Sequence, residues 1–150
     1  MKLSKKGEYA LRVMRHLAAE NGGKPLSTAY LARTEGVPLK YLEQVLSQLR
    51  NQGLLLSTHG KDGGYTLRRP AADISLGDII RAVDGPLAPI PCASRTAPAR
   101  CPDCPNDYDT CWLRHLMLSV RDNISDVLDR ESLAAMTGRT ARRPKARRKK

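Results

Sequence analysis

The sequence predicts a mainly α-helical protein carrying one small β-hairpin. Three observations carry this. Apolar residues recur at i, i+3, i+4 and i+7 in several separate stretches, the pattern of helices with one buried face. One region, residues 54–70, instead shows two short apolar runs around a glycine-rich charged turn. Serine or proline stands where helices would start, and glycine where they would stop.

Residues 4–20 read as the first helix, with Tyr9, Val13 and Leu17, beside Ala10 and Met14, on one face. Asn21-Gly22-Gly23-Lys24-Pro25 ends it. Ser27 caps a short second helix reaching about Glu35, and Gly36 permits a tight turn. Pro38 suits the first turn of a third helix, where its missing N–H costs nothing. There Leu42, Val45, Leu46 and Leu49 form the buried stripe, and Lys40, Gln44, Ser47, Gln48 and Asn51 the polar face. Short helix, tight turn and polar-faced helix make a helix-turn-helix pattern. The hairpin follows at once, with residues 54–58, a turn at 59–64 and a return at 65–70, which makes it the wing of a winged helix. Ser75 caps a fourth helix bearing Leu76, Ile79, Ile80 and Val83, and Asp78 offers a weak capping box. Residues 1–84 thus read as a winged-helix domain.

Residues 85–111 change character. They hold six prolines, all four cysteines and little periodicity, so they read as an irregular loop that a core alone does not order. From Trp112 a long helix is expected to about Met136. Its seam of Leu113, Leu116, Met117, Val120, Ile124, Val127 and Leu128 lies close to a heptad. The chain offers no second long amphipathic helix to cover that seam, so residues 112–136 read as a dimerisation helix pairing with its own copy. Residues 137–150 read as a disordered basic tail.

The net charge of +11 suggests a polyanionic partner, but eight of those charges are the lysines and arginines of the tail, leaving +3 for the rest. DNA binding therefore rests on motif rather than bulk charge. No apolar run approaches the roughly 20 residues of a membrane span, and no apolar block follows the basic start, so a cytoplasmic protein without a membrane partner is expected. Hydrophobic residues make up 41% with no Phe and one Trp, so the core must be Leu, Val, Ile and Ala.

A helix fits the major groove and presents side chains to base edges. The candidates on the third helix are Lys40, Tyr41, Glu43, Gln44 and Gln48. On the wing, His59 and Lys61 can reach phosphate or the minor groove, and Arg68 and Arg69 can hold the backbone. Six scattered aromatics make no stacking platform for single-stranded RNA. The cysteines, Cys92, Cys101, Cys104 and Cys111, are spaced C-x8-C-x2-C-x6-C, with Cys101 and Cys104 as a C-x-x-C knuckle. In a reducing compartment such a set reads as metal ligands or redox thiols rather than structural disulfides. Soft sulfur donors select zinc or an iron–sulfur cluster. His115, a turn after Cys111, is a weaker ligand candidate. No Ser/His/Asp set, phosphate loop or paired carboxylates point to an enzyme.

Lys6-Gly7-Glu8-Tyr9-Ala10, Tyr41-Leu42-Glu43-Gln44, Gly63-Gly64-Tyr65 and Ala82-Val83-Asp84-Gly85 together resemble the Rrf2 superfamily of bacterial regulators, over about residues 1–135. The resemblance implies a homodimer that binds pseudo-palindromic promoter DNA, as a repressor. It also implies that the cysteine loop holds an iron–sulfur cluster, two-iron or four-iron, sensing redox state, nitric oxide or iron–sulfur status. Cluster-binding members usually offer three cysteines and a non-cysteine fourth ligand. Here Cys92 and Cys111 match the outer pair and either Cys101 or Cys104 the middle one. An all-cysteine site is the first choice, with Glu8 (reaching from a partner subunit) or His115 as substitutes. Structural zinc or a thiol/disulfide switch at the same cysteines is the alternative. A redox protein or electron carrier on a winged-helix scaffold is a remoter one.

Overall fold

The computed structural model describes residues 2–20, 23–102, 104 and 107–138; residues 139–150 of the expected tail lie outside them. In chain order the elements are α1 (Lys5–Ala19), α2 (Thr28–Glu35), α3 (Leu39–Asn51), β1 (Leu55–Thr58), β2 (Gly64–Leu67), α4 (Leu76–Asp84), α5 (Trp112–Arg130) and α6 (Leu133–Thr137), with 3-10 turns at Ala71–Asp73 and Pro91–Ala93.

The helix starts follow local chemistry. Ser4 accepts from the Gly7 amide at 3.0 Å and caps α1. Its own amide donates to Asp84 at 3.0 Å, which ties the start of α1 to the end of α4. Gly7 is required there, since a Cβ would run into the Asp84 carboxylate. Ser27 caps α2 through the Tyr30 amide, and Gly36 closes α2 in the left-handed region at φ 63°. Pro38 stands one position earlier than the sequence suggested, at the cap of α3, where its carbonyl accepts from Leu42 at 2.9 Å. Ser75 and Asp78 form both halves of a capping box on α4.

The core lies where α1, α3 and α4 meet. Val13 and Met14 of α1, Leu31 of α2, Leu42, Val45, Leu46 and Leu49 of α3, Leu55 of β1 and Ile79 of α4 are fully buried there. The hairpin pairs Leu55 with Leu67 and Thr58 with Gly64 in an antiparallel register. Leu26 and Tyr65 exchange two backbone bonds, at 3.0 and 2.9 Å, which fasten the wing to the segment before α2. A Cβ at Gly64 would strike the Leu26 carbonyl, so glycine permits that approach.

Two expectations are corrected. The long helix ends at Arg130, not near Met136. Glu131 and Ser132 are extended, and Ser132 caps the separate α6. The break lets Glu131 accept from the Leu76 amide, one of the unpaired donors at the start of α4, at 3.0 Å. It also lets Leu133 donate to the Ile74 carbonyl at 2.8 Å and enter the core fully buried. A continuous helix forgoes all three. The loop at 85–111, in turn, is ordered in part by packing: Leu87, Cys92, Ala93, Ser94 and Cys111 are buried.

Helix α5 buries none of its residues. Trp112, Leu113, Leu116, Val120 and Val127 are exposed on it, Trp112 at 69% and Val127 at 64%. Among the described residues no helix is long and apolar enough to cross a membrane.

Candidate functional site

Two surfaces carry the candidate residues. The first is the outer face of α3 with the wing. Lys40, Tyr41, Glu43 and Gln44 are exposed on the first half of α3. Tyr41 is steadied by an edge-on contact with the Tyr9 ring, with centroids 5.6 Å apart. Gln48 differs. It is half-buried; its carbonyl oxygen accepts from Lys6 at 3.3 Å and its amide donates to the Val83 carbonyl at 3.5 Å. Gln48 therefore links α1, α3 and α4, and the free polar face is the N-terminal half of α3.

On the wing, His59 and Lys61 are exposed at the turn. Arg68 and Arg69 are also exposed, but they follow β2 at the opposite end of the hairpin, about 13 Å away along a four-residue strand. Arg69 lies 3.8 Å from the Asp78 carboxylate of α4. The hairpin thus separates the two basic pairs that the sequence grouped together.

The second surface is a cavity of about 390 Å³ lined by Cys92, Cys101, Cys104 and Cys111 with Arg100, Pro102, Tyr108 and Arg114. Cys92 sits in the 3-10 turn at Pro91–Ala93. Cys101 and Cys104 are joined by a turn in which the Cys104 amide donates to the Cys101 carbonyl at 3.4 Å. Cys111 is the N-cap of α5. The sulfurs fall into pairs, with Cys101 donating to Cys92 at 3.8 Å and Cys104 to Cys111 at 3.9 Å. The bond to Cys92, aided by desolvation, holds the Cys101 thiol above its ordinary pKa. None of the four is in a disulfide.

Arginines brace the cavity. The Tyr108 ring lies between the Arg114 guanidinium at 4.0 Å and that of Arg100 at 5.1 Å. Tyr108 Oη and Arg114 Nε both donate to the Cys92 carbonyl, at 3.3 and 3.2 Å. Two helical turns further on, Arg121 donates to the Ala93 carbonyl at 2.8 Å. Its guanidinium is oriented by Asp122, whose carboxyl is held below the usual range, chiefly by that Arg121 bond and further by Arg95. Arg114 and Arg121 stand seven residues apart, on one face of α5. Sequence reading missed both, although their spacing carries the signal.

Neither substitute ligand lines the cavity. His115 Nε2 is 2.7 Å from the Asp109 carbonyl, so that nitrogen is a donor to backbone. Glu8 lies on α1 and pairs with Lys5 at 2.7 Å. This pair lowers the Glu8 carboxyl and raises the Lys5 amine.

The donor set suits soft metals. Two thiolates at about 2.3 Å in tetrahedral array stand about 3.8 Å apart, the spacing of both pairs. Among the described residues no three His, Cys, Asp or Glu gather as one metal ion requires. The set is therefore two bites of two thiols each.

Comparison with known proteins places this architecture. The Rrf2 family, described as an iron-dependent transcriptional regulator, matches residues 3–139. The transcriptional regulator CymR of Bacillus subtilis is 36% identical over 93% of this chain and 92% of its own length. IscR of Vibrio atlanticus is 40% identical over 63% of this chain and 55% of its own. Among solved structures, B. subtilis CymR, described as the global cysteine regulator, superposes with a TM-score of 0.72 at 35% identity, covering 91% of this chain and 96% of that one. The IscR of T. potens superposes with 0.69 at 32% identity, over 91% and 85%. These relatives are transcription regulators, not enzymes, and they share the winged helix found here. The chain belongs to the Rrf2 family of transcriptional regulators.

Proposed function

We propose that this regulator binds pseudo-palindromic promoter DNA as a homodimer, as a repressor in the cytoplasm, and that its cysteine cavity makes the affinity respond to an iron–sulfur cluster. The observation that carries the sensing part is the convergence of four cysteine thiols on one cavity whose wall includes the first residue before α5. Cys92 with Cys101, and Cys104 with Cys111, would hold the cluster, one pair on each side. The paired spacing suits tetrahedral thiolate ligation at each end of the cavity. When bound, the group supplies a redox- and nitric-oxide-reactive centre.

The chain's own residues would turn that chemistry into a DNA response. Arg114 and Arg121 hold the carbonyls of Cys92 and Ala93 from α5, so the state of the loop and the position of α5 are coupled. The exposed apolar stripe of α5 would pair with its copy in the partner subunit. Half-sites about 34–36 Å apart require both winged domains at one spacing, so a small movement at α5 weakens both contacts together. Lys40, Tyr41, Glu43 and Gln44 would enter the major groove, His59 and Lys61 would meet the minor groove or phosphates, and the basic tail would add non-specific affinity.

A second reading is a thiol/disulfide switch without metal, which the same two sulfur pairs favour. One experiment separates the two readings. Protein purified without oxygen is analysed for visible absorption, iron, acid-labile sulfide and zinc, and its binding to duplexes selected from a random pool is compared before and after metal removal. Iron and sulfide with altered binding support the cluster. Colourless protein after reconstitution, with oxidation-dependent binding, supports the switch. Equal binding in every state rejects sensing and leaves the DNA-binding reading in place.

A further inference from the structure

Four cysteines allow three ways of forming two disulfides. The structure distinguishes among them. Cys92 and Cys101 stand 3.8 Å apart, and Cys104 and Cys111 3.9 Å. A second regularity runs through both pairs. Cys101 is exposed and Cys104 half-exposed, whereas Cys92 and Cys111 are buried. Each pair therefore has one thiol that a small oxidant can reach and one protected partner against it.

We propose that in the metal-free protein hydrogen peroxide closes Cys101 onto Cys92 and Cys104 onto Cys111, giving two intrachain disulfides. In each pair the accessible sulfur first loses its proton to solvent, a step that alkaline pH favours at Cys101, and the thiolate attacks one peroxide oxygen. The O–O bond breaks, a sulfenic acid forms and hydroxide leaves, taking up a proton to become water. The buried partner then attacks the sulfenic sulfur. The S–S bond forms, the S–O bond breaks, and its oxygen leaves as water with the partner's thiol proton. Two thiols lose two electrons and one peroxide gains them. Closing from 3.8 Å to the disulfide length of about 2.05 Å needs a movement of about 1.8 Å per pair. Cys92 is held at its carbonyl by Tyr108 and Arg114, and Cys111 is the N-cap of α5. Cys101 is drawn toward Cys92, and Cys104 and Cys111 close on each other.

The inference rests on the reading of the cavity as a redox-responsive site, and its test can fail independently of that reading. Full-length protein, stripped of metal by a chelator under reducing conditions, is treated with hydrogen peroxide, alkylated in denaturant and mapped without reduction. The expected result is loss of all four thiols, no cross-linked chains, and linkages joining Cys92 to Cys101 and Cys104 to Cys111. Cys101→Ser should still form the second disulfide, and Cys104→Ser the first. A bond between Cys92 and Cys111, between Cys101 and Cys104, or between chains overturns the pairing, as does oxidation to sulfinic acid in place of disulfide. Mapping the wild-type chain decides the matter even if a serine variant does not fold. DNA binding by the same oxidised sample gives the separation. The proposed linkages with unchanged affinity establish the pairing and overturn the thiol-switch reading; other linkages with changed affinity overturn the pairing and support the switch.

Discussion

Arg114 Nε donates to the carbonyl oxygen of Cys92 at 3.2 Å, so the first turns of α5 hold the backbone of a cysteine twenty-two residues earlier. The guanidinium also lies 4.0 Å from the Tyr108 ring, whose hydroxyl donates to that same carbonyl. Removing it leaves the Cys92 carbonyl with one donor fewer and the ring without its cation. Arg114→Ala should lower stability by about 1.5–3 kcal/mol, the range for a hydrogen bond from a charged donor. The buried Cys92 should then react with a disulfide reagent at least tenfold faster. Arg114→Lys keeps the charge without the planar fork and should recover part of the stability. Urea unfolding and timed thiol titration read both.

Gln44 and Gln48 lie one turn apart on α3 and should behave differently. Gln44 is exposed, so Gln44→Ala should lower affinity for a selected duplex about tenfold while leaving the melting temperature unchanged. Gln48 joins Lys6 to Val83, so Gln48→Ala should instead cost about 1 kcal/mol of stability, with the smaller effect on binding. Calorimetry beside a fluorescence-anisotropy titration makes the comparison.

Leu133 fills the core from the far end of the chain. Leu133→Ala should destabilise by about 2–5 kcal/mol, the range for emptying a buried leucine site. Because α6 is short, the same change should raise hydrogen exchange across residues 131–137 ahead of the rest of the protein.

Gly64 passes the Leu26 carbonyl where no Cβ fits. Gly64→Ala should push the hairpin off the segment before α2, costing about 1–3 kcal/mol through strain and the loss of two backbone bonds. DNA binding should fall further than stability does, because His59 and Lys61 ride on that hairpin.

Acid should loosen the loop through Asp122. Its folded pKa is depressed below the unfolded 3.8 by Arg121 and Arg95, so its contribution is fully present above that value. It is lost as pH falls through the folded value. The difference in stability between wild type and Asp122→Asn should therefore be constant at neutral pH and shrink below pH 3.8, as denaturant titrations at a series of pH values will show.

Much of this molecule is legible in its residues because local signals agree with tertiary ones. Leu42, Val45, Leu46 and Leu49 all enter the core from one helix face, and Ser27 and Ser75 cap the helices they precede. The break after Arg130 is not legible. Leu133 and Met136 continue the helical spacing, and what ends the helix is a backbone bond to Leu76, fifty-five residues away from Glu131. Gln48 misleads for a similar reason: it stands at the border of the polar face, and only the approach of Lys6 and Val83 turns it inward. The cysteines are legible as a set from spacing alone. Their division into pairs is not, because it depends on where the turn at Cys92 meets the start of α5.

The seating of Leu133 has a mechanical consequence. With α6 locked into the winged domain and Asp129 bonded to Arg81 at 2.7 Å, the far end of α5 is a pivot, and its cysteine end, tied to the cysteine loop through Arg114, is the moving end of a lever. The lever has 19 residues, so it is about 28 Å long. If Cys104 and Cys111 share the closure expected of a disulfide there, Cys111 moves by about 0.9 Å, which tilts the helix by about 2°. In the proposed dimer, two such levers crossing at a shared axis would turn the chemistry of a few sulfur atoms into a rotation of one reading head against the other.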